Sequence, residues 1–444
     1  MSCLPRLLTA EDVQHLAQEY NVKFVRLQFT DILGALKNIA ITVEELDRAL
    51  AGKVCFDSAV FEGFVRGRRR DVLLQPVPST FEVFPWRPRD GAVARLICEA
   101  RTADEGEFEG CSRSVLRRTL NKARERGWML MVGPETEFFL FGTDEQGLPT
   151  TRTNDRAGFC DLTPIDLGEN ARRDMILTLE QMDIEVTSSH HEIAPGQHEI
   201  GLKDDTALAM ADKLATFKFV VRTVAQRHGL HASFMPKPLD NSIGSGMTLN
   251  LSLWDGEKNL FQDDSAPLLL SETGRFFVGG VLKHARAITA IVNPLINSYK
   301  RLVPNNLSPV LAGWSEGNRS TMIRVPGHDS HGARLVLKSP DPTTNPYLAL
   351  AVILAAGIDG IDNRIEPPLP LEECSNDELA QLVKEIGLPR NMGEALAALA
   401  DDRLVQDTLG KAIYQRIMAV KQDEWTRYND KVHQWELDEY LSKY

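Results

Sequence analysis

The most informative stretch of this chain is GPETEFFLF, residues 133–141. An apolar run directly after two acids is typical of a strand that enters a hydrophobic core. Side chains alternate between the two faces of a strand, so Glu135 and Glu137 point to the same face. Two carboxylates this close repel each other unless a positive charge lies between them. The stretch therefore predicts either a strand that carries a cation site or a solvated acidic strand edge.

A second acidic segment is SHHEIAPGQHEI, residues 189–200. Its Pro-Gly dipeptide predicts a turn, which would fold Glu192 and Glu199 back towards each other. Four carboxylates without a cysteine favour a hard cation, either Mg²⁺ or Mn²⁺. The two histidines that precede Glu192 could be ligands, although adjacent histidines are more often partners of the ligands. The candidate metal ligands are Glu135, Glu137, Glu192 and Glu199.

Two further segments suggest a site for substrate and phosphate. The Gly244-Ser245-Gly246 sequence allows the backbone to approach a ligand closely, although a plain turn between strands is the alternative. No phosphate-binding loop of the form G-x-x-x-x-G-K-[ST] occurs in the chain. Arginine side chains suit carboxylate and phosphate oxygens, although each one alone could be a surface charge. Acids and arginines together would suit an ATP-dependent phosphoryl transfer. The arginines are Arg301, Arg319, Arg324 and Arg334.

The composition excludes several classes of protein. The chain of 444 residues has a formal net charge of −12, which argues against a nucleic-acid partner. Its six cysteines form no C-x-x-C pair, so we expect neither a zinc ribbon nor a disulfide framework. A reducing cytoplasm is the simplest compartment. No apolar run is long enough to cross a bilayer, so we expect no membrane association.

The chain divides into two parts of the α+β class. Residues 1–105 are rich in short strand patterns and open with a helix, for which Thr9 is the predicted cap. A polar segment at 103–110 is predicted to be a linker. Residues 106–444 alternate strands and amphipathic helices. The predicted elements are a strand over 128–141 and helices over 112–126, 171–182, 214–227, 347–361 and 407–428.

Several ordered motifs run along the chain from about Glu11 to Tyr444. Taken together, they resemble bacterial type I glutamine synthetase, in the shorter form found in Gram-positive bacteria. The motifs are RLQFTDILGALK at 26–37, the 133–141 strand, HHEIAPGQHE at 190–199, FMPKP at 234–238, NSYKRLVP at 297–304, NRS at 318–320 and NPYLA at 345–349.

The resemblance implies a fold and an assembly. We expect a small β-grasp-like N-terminal domain, and a large catalytic domain in which helices flank an antiparallel sheet. Members of the family form double hexameric rings, so a homododecamer with sites at subunit interfaces is implied. The implied reaction activates glutamate with ATP and divalent metals, Mg²⁺ or Mn²⁺, before ammonia attacks. The C-terminal segment resembles the family tail, which supports contacts with rings and with a regulator protein.

The resemblance also implies roles for individual residues. The first metal site matches Glu137, Glu192 and Glu199, and the second retains Glu135. The implied catalytic residues are Asp57, which deprotonates ammonium across the subunit boundary, and Arg319, which stabilises the transferring phosphoryl group. Substrate contacts match Arg301, Gly244 and Lys338, nucleotide contacts match Ser252, Arg324 and Arg334, and Arg66 matches a feedback-inhibition arginine.

Five positions depart from the family pattern. Thr248 replaces the histidine of the second metal site, and Val336 replaces its last glutamate. Ile243 replaces an asparagine, Leu307 replaces the glutamate that closes the ammonium site, and Lys338 replaces an arginine. Loss of the second site would remove positive charge where the transition state needs it. The pattern predicts a degenerate active site with reduced glutamine synthesis.

Three functions follow from this combination. The first is a ligase of the same reaction type with an altered acid or a larger amine. The second is a catalytically inactive paralogue that acts through assembly with an active enzyme or a transcription regulator. The third is an ordinary glutamine synthetase in which Thr248 and water rebuild the second metal site.

Overall fold

The computed structural model describes residues 8–61, 71–88, 90–104, 106–304, 307–327, 332–371 and 375–444. Arg66 and the basic run at 68–70 lie outside these residues. The first helix, α1 (Ala10–Glu19), begins where the sequence predicts it. Thr9 Oγ1 accepts a 3.2 Å hydrogen bond from Asp12 N, and Asp12 Oδ2 accepts one of 2.7 Å from Thr9 N. This reciprocal capping satisfies two backbone donors that a helix start would leave unpaired.

The N-terminal part is a mixed sheet with two helices against it. The strands run in the order β2-β1-β6-β4-β3, and β5 pairs with β6. Strands β1 and β6 are parallel, and the other pairs are antiparallel. The elements after α1 are β1 (Val22–Thr30), β2 (Leu36–Thr42), α2 (Leu46–Leu50), β3 (Val54–Asp57), β4 (Asp71–Pro76), β5 (Glu82–Val83) and β6 (Ala92–Arg101).

The larger part contains the remaining elements. In its first half these are α3 (Ser112–Arg124), β7 (Trp128–Thr143), β8 (Pro149–Thr153), α4 (Glu169–Glu180), β9 (Val186–His191), β10 (Gln197–Leu202), β11 (Asp205–Thr206), α5 (Ala207–Arg227), β12 (Leu230–Ser233), β13 (Met247–Asp255) and β14 (Lys258–Asn259). In its second half they are α6 (Glu272–Lys283), α7 (Ala285–Val292), α8 (Ser298–Arg301), β15 (Leu311–Ser315), β16 (Thr321–Arg324), β17 (Leu335–Leu337), α9 (Pro346–Asp362), α10 (Asn376–Ile386), α11 (Met392–Asp401), α12 (Arg403–Leu409), α13 (Lys411–Asn429) and α14 (Gln434–Tyr440).

The central sheet follows the order β15-β16-β17-β13-β7-β10-β9. It is antiparallel, as expected, except that β15 and β16 pair in parallel. This exception arises because the intervening segment loops back, so that Val310 N and Leu311 N both donate to Ser320 O at 2.9 and 3.0 Å. One face of the sheet packs on helices, and α9 is buried along most of its length in the main core.

Two local predictions need correction. The single helix predicted over 407–428 is wrong, because the chain breaks it into α12 and α13 at Gly410, whose φ is 78°. A residue in that left-handed conformation ends a helix, and glycine adopts it without strain. The predicted linker is not a free connection, since Phe108 is 7% exposed and belongs to the N-terminal core. None of the helices in the described parts of the chain is both long and apolar enough to cross a membrane.

A buried ionic network fixes the N-terminal sheet against the catalytic part. Arg113 on α3 donates two hydrogen bonds to Asp212 on α5, at 3.0 and 2.9 Å. Its remaining nitrogen, Nη1, donates to Glu99 Oε1 on β6 at 2.6 Å. Tyr347 at the start of α9 donates to the same Asp212 at 2.7 Å. The network therefore joins strand β6 of the N-terminal sheet to three helices of the larger part, α3, α5 and α9.

Candidate active site

The site lies on the face of the central sheet that the helices leave open. Directly opposed residues of an antiparallel pair point to the same face. Glu199 on β10 lies opposite Glu137 on β7, and His190 on β9 lies opposite Glu199. Register alone therefore brings these three side chains into one row across three strands.

The next two rows continue the same face. Thr248 on β13 lies opposite Glu135 on β7. Two residues further along β13, Asn250 lies opposite Val336 on β17, which in turn lies opposite Arg324 on β16. The sheet thus presents acids on the β7–β10 side and cations on the β16–β17 side.

The β9–β10 hairpin brings Glu192 and Glu199 together, as its Pro-Gly sequence predicts. Glu192 N donates to Gln197 O at 2.8 Å, and Gln197 N donates to Ala194 O at 3.0 Å. Gly196 has a φ of 67°, and a Cβ there would lie 2.9 Å from Leu140 O. Only glycine satisfies both the conformation and the close approach.

Glu137, Glu192, Glu199 and His190 form a crowded acidic group, named here the carboxylate cluster. His190 Nε2 lies 2.9 Å from Glu192 Oε1 and 3.8 Å from Glu199 Oε1. One ligand atom from each of these three residues lies within 4.8 Å of the others. Gln197 Nε2 and Gly246 N both donate to Glu137 Oε2, at 3.0 and 2.9 Å.

The electrostatics of the carboxylate cluster fit a divalent cation. Burial and then repulsion by Glu192 raise the pKa of Glu137 to about 8. Burial and then repulsion by Glu137 raise the pKa of Glu199 to about 9. A bound cation would offset both the burial of these carboxylates and the repulsion between them. Oxygen donors of this kind suit Mg²⁺ or Mn²⁺.

The surroundings of Glu135 differ from those of the cluster. Asn250 Nδ2 donates to Glu135 Oε1 at 3.0 Å, so an amide occupies one carboxylate oxygen. Thr248, directly opposite, offers a hydroxyl, and Val336 is buried, with 6% of its surface exposed. A valine supplies no ligand atom. Among the described residues, Glu135 and Thr248 supply the side-chain oxygens on the row of Glu135.

A cationic group lies on the far side of Glu135. Burial and then repulsion by Arg324 and Arg319 lower the pKa of Lys338, whereas Glu135 raises it. Arg324 Nε donates to Glu316 O at 3.0 Å, and both arginines are exposed. Arg334 is half-buried and lies two residues before Val336. The structure thus groups Arg319 and Arg324 around Lys338, which lies within electrostatic reach of Glu135.

Arg301 is buried beneath the Gly-Ser-Gly segment. Its Nη2 donates to Ser339 O and Pro340 O at 2.5 and 3.0 Å. A Cβ at Gly246 would lie 2.9 Å from Arg301 Nη1, and one at Gly244 would lie 2.7 Å from Arg301 Cγ. The two glycines therefore allow the chain to pass directly over the guanidinium group.

The remaining predicted positions are Ser252, Asp57 and Leu307. Ser252 is on the open face of β13, where its Oγ accepts a 2.9 Å hydrogen bond from Trp254 Nε1. Asp57 ends β3, an edge strand of the other sheet, and its Oδ1 accepts from Ala59 N at 2.9 Å. Leu307 is 51% exposed and has a φ of 54°. One chain therefore does not bring Asp57 onto the sheet that carries the carboxylates.

Sequence reasoning missed three supporting residues. Asn250 could have been found, because it follows Thr248 by two positions and shares its strand face. Gln197 lies inside the quoted hairpin motif, but its uncharged amide did not indicate a role in the site. Asp155 lies 3.1 Å from His191 although 36 positions separate them, and no local pattern indicates that contact.

Comparison with known proteins identifies the class. A family model described as the glutamine synthetase catalytic domain matches residues 109–440, and one described as the glutamine synthetase beta-Grasp domain matches residues 21–102. A glutamine synthetase from Clostridium saccharobutylicum is 49% identical over 439 residues, 98% of this chain and 99% of its own. One from Staphylococcus aureus (strain Mu50) is 45% identical over 443 residues, 99% of each chain.

Solved structures share the fold. A GmaS/ADP complex matches with a TM-score of 0.88 and 31% identity, covering 97% of this chain and 99% of its own. A Plasmodium falciparum glutamine synthetase also has a TM-score of 0.88, covering 99% of this chain and 100% of its own, but at 24% identity it bears on the fold alone. Fold and relatives define a ligase built on the β-grasp and catalytic domains predicted above. The chain belongs to the glutamine synthetase family.

Proposed function

We propose that this chain is an ATP-dependent ligase that joins the carboxylate of glutamate to an amine. The observation that carries the proposal is the charge layout on the open sheet face. The carboxylate cluster suits a divalent cation, and the group of Arg319, Arg324 and Lys338 suits phosphate oxygens. A nucleoside triphosphate lying between the two ends would have its charge balanced from both sides.

In the proposed reaction, the substrate carboxylate attacks the γ-phosphorus of ATP, which forms an acyl phosphate and releases ADP. The amine then attacks the acyl carbon, inorganic phosphate leaves, and the amine nitrogen loses a proton. Mg²⁺ or Mn²⁺ held by Glu137, Glu192 and Glu199 would neutralise phosphate charge. By resemblance, Arg301 would hold the acid and Arg319 would stabilise the transferring phosphoryl group.

The contacts of Glu135 support a reduced second metal site. Asn250 binds one of its oxygens, and Val336 contributes no ligand. Lys338 lies within electrostatic reach of the same carboxylate. We propose that Lys338, with Arg319 and Arg324, supplies charge that a second metal supplies elsewhere in the family. By resemblance, Ser252 and Arg334 would contact the nucleotide, and Gly244 the substrate.

We propose an amine larger than ammonium as the second substrate. Leu307 and Ile243 replace polar residues of the family pattern, and Ile243 packs against an apolar cluster that includes Phe139 and Phe141. An apolar lining favours an alkyl group over a small cation. The competing function is ordinary glutamine synthesis, which the 49% and 45% identities over nearly whole chains favour.

The test measures phosphate release from Mg²⁺-ATP and glutamate with ammonium, methylamine and longer primary amines, and identifies the products by mass spectrometry. We expect faster turnover with the larger amines, and loss of turnover in Glu192→Gln and Arg319→Ala. Faster turnover with ammonium than with any other amine would reject the altered amine and select glutamine synthesis. No turnover with any amine, with ADP binding retained, would reject the ligase and select a regulatory paralogue.

The proposal also covers the assembly of the chain, its cellular location and its domain boundary. We propose a homododecamer in which Asp57 of a neighbouring subunit completes each site, since Asp57 lies on an edge strand of the other sheet. Mass photometry of the purified chain tests the ring, and co-purification tests a regulator partner. A cytoplasmic location and a domain boundary at 105/106 remain predictions. The four cysteines in the described ranges carry no disulfide.

A further inference from the structure

The back of the carboxylate cluster contains a second set of titratable groups. His191 follows the β9 position of His190, and His198 precedes Glu199 on β10, so both rings point to the hidden face of the sheet. Both histidines are fully buried, and the rings lie 4.8 Å apart in an edge-to-face arrangement. Each metal-ligand candidate of the hairpin therefore has a buried histidine next to it in sequence.

An acid from one loop holds the first histidine. His191 Nε2 lies 3.1 Å from Asp155 Oδ1, and His191 Nδ1 donates to Glu192 O at 2.6 Å. The same Asp155 Oδ1 accepts from Gly196 N at 2.8 Å. One carboxylate oxygen thus contacts both arms of the hairpin, one beside Glu192 and the other at the turn that leads to Glu199.

Arg172 holds the other histidine and is itself bound by a second acid from the same loop. Arg172 Nη1 donates to Asp166 Oδ2 and to His198 Nδ1, both at 2.8 Å. Asp166 also accepts from Gly168 N at 2.9 Å, which fixes the loop before α4. A Cβ at Gly168 would lie 2.4 Å from the His198 ring, so glycine lets the loop approach this closely.

The geometry points to a positioning role for Asp155 and Arg172. We propose that these two side chains set the distance between Glu192 and Glu199, through His191 and His198, and thereby set the affinity of the carboxylate cluster for a divalent cation. Loss of such a supporting contact typically lowers metal affinity by about 10- to 100-fold. The inference rests on the metal centre in the proposed function, but not on the identity of the acid or amine.

A metal bound within the buried group itself is the competing interpretation. Ligand atoms of Asp155, Asp166, His191 and His198 lie within 4.8 Å of one another. However, the Arg172 guanidinium already donates to two of these four residues. A cation in that position would meet a positive charge at hydrogen-bond distance, which favours a supporting role over a second metal site.

The test titrates Mn²⁺ into the full-length protein without substrates and follows free Mn²⁺ by electron paramagnetic resonance. We expect Asp155→Asn to weaken Mn²⁺ binding by about 10- to 100-fold, with unchanged stoichiometry. Asp161→Asn is the matched control, because Asp161 lies in the same loop and its carboxylate accepts a 2.8 Å hydrogen bond from Gly158 N. We expect its Mn²⁺ affinity to equal that of the unmodified protein.

A second variant separates positioning from general destabilisation. His191→Gln keeps a donor towards Asp155 but loses the one to Glu192 O, so we expect the same loss of Mn²⁺ affinity with native near-ultraviolet circular dichroism. Unchanged affinity in both folded variants would overturn the inference, as would the loss of one Mn²⁺ per chain with unchanged affinity at the remaining site. Mn²⁺ binding without turnover of any amine would overturn the proposed ligase function. The comparison of Mn²⁺ affinity between the variants and the unmodified protein would still test the positioning role.

Discussion

Glu137 and Glu199 lie directly opposite each other on the paired strands β7 and β10. Burial and then repulsion by Glu192 raise the pKa of Glu137 to about 8, and burial and then repulsion by Glu137 raise the pKa of Glu199 to about 9. The ordinary value for a glutamate is 4.5, so between pH 4.5 and 9 the folded state binds protons that the unfolded state has released. The metal-free protein therefore loses stability as pH rises through this interval.

We predict that the stabilisation by Mg²⁺ grows with pH. A cation competes with protons for these carboxylates, so the rise in melting temperature on adding Mg²⁺ should be larger at pH 8.5 than at pH 6. Differential scanning calorimetry across this range measures it. In Glu199→Gln the pH dependence should shrink, because one of the two shifted groups is absent. A Mg²⁺ effect that is constant with pH would contradict the assignment of the carboxylate cluster as the metal centre.

The second prediction concerns the number of metal ions. Thr248→His with Val336→Glu supplies two new ligands on the open sheet face beside Glu135. We expect the double variant to bind one more Mn²⁺ per chain than the unmodified protein, by equilibrium dialysis with metal analysis. Each single variant is the control, and neither should gain a tightly bound ion. A second ion already bound beside Glu135 in the unmodified protein would contradict this prediction.

The third prediction concerns Gly246. The Cβ of Gly246→Ala would lie 2.9 Å from Arg301 Nη1, so the buried guanidinium has to move. A displacement near 1 Å at a substrate contact can lower kcat/KM by about 100-fold. Steady-state kinetics with varied acid should show this loss, with ADP affinity unchanged by calorimetry. Gly158→Ala is the control, since its Cβ would lie 3.7 Å from Asp161 Oδ2, an ordinary contact. Equal losses in both variants would argue against a role for Arg301.

The fourth prediction concerns the interdomain network. Arg113→Met leaves the buried carboxylates of Glu99 and Asp212 without their shared partner. Breaking a buried ion pair in this way costs about 3–5 kcal/mol of unfolding free energy. Arg126→Met removes an ion pair to Asp362 in which the side chains are 36% and 45% exposed, and should cost about 0–1 kcal/mol. Urea denaturation of both variants measures the difference, and equal costs would contradict the assigned burial.

Much of the fold followed from local patterns. Short sequence patterns predict three features: the cap at Thr9, the strand that carries Glu135 and the turn before Gln197. The structure contains all three. The break at Gly410 escaped prediction, because the apolar spacing on both sides continues without interruption. Glycine is also tolerated within a helix, so its presence alone does not predict a positive φ. That conformation depends on the tertiary packing.

The candidate site was likewise predicted only in part from the sequence. Strand alternation placed Glu135 and Glu137 on one face, and the family motifs selected Glu192, Glu199 and the arginines. The sequence did not indicate that Asn250 binds Glu135, or that Lys338 lies within its electrostatic reach. These contacts depend on the register of β13 and β17, which is set by pairing between distant segments.

The family, the strand face and the candidate ligand atoms could be assigned from residue type and from spacing along the chain. Which of these groups meet depends on the tertiary packing. It placed Glu199 opposite Glu137, passed two glycines over Arg301 and brought Asp155 to both arms of the hairpin. The physical reason is that hydrogen bonds and ionic contacts require separations near 3 Å. Such separations between distant segments are fixed by the packing of the whole chain.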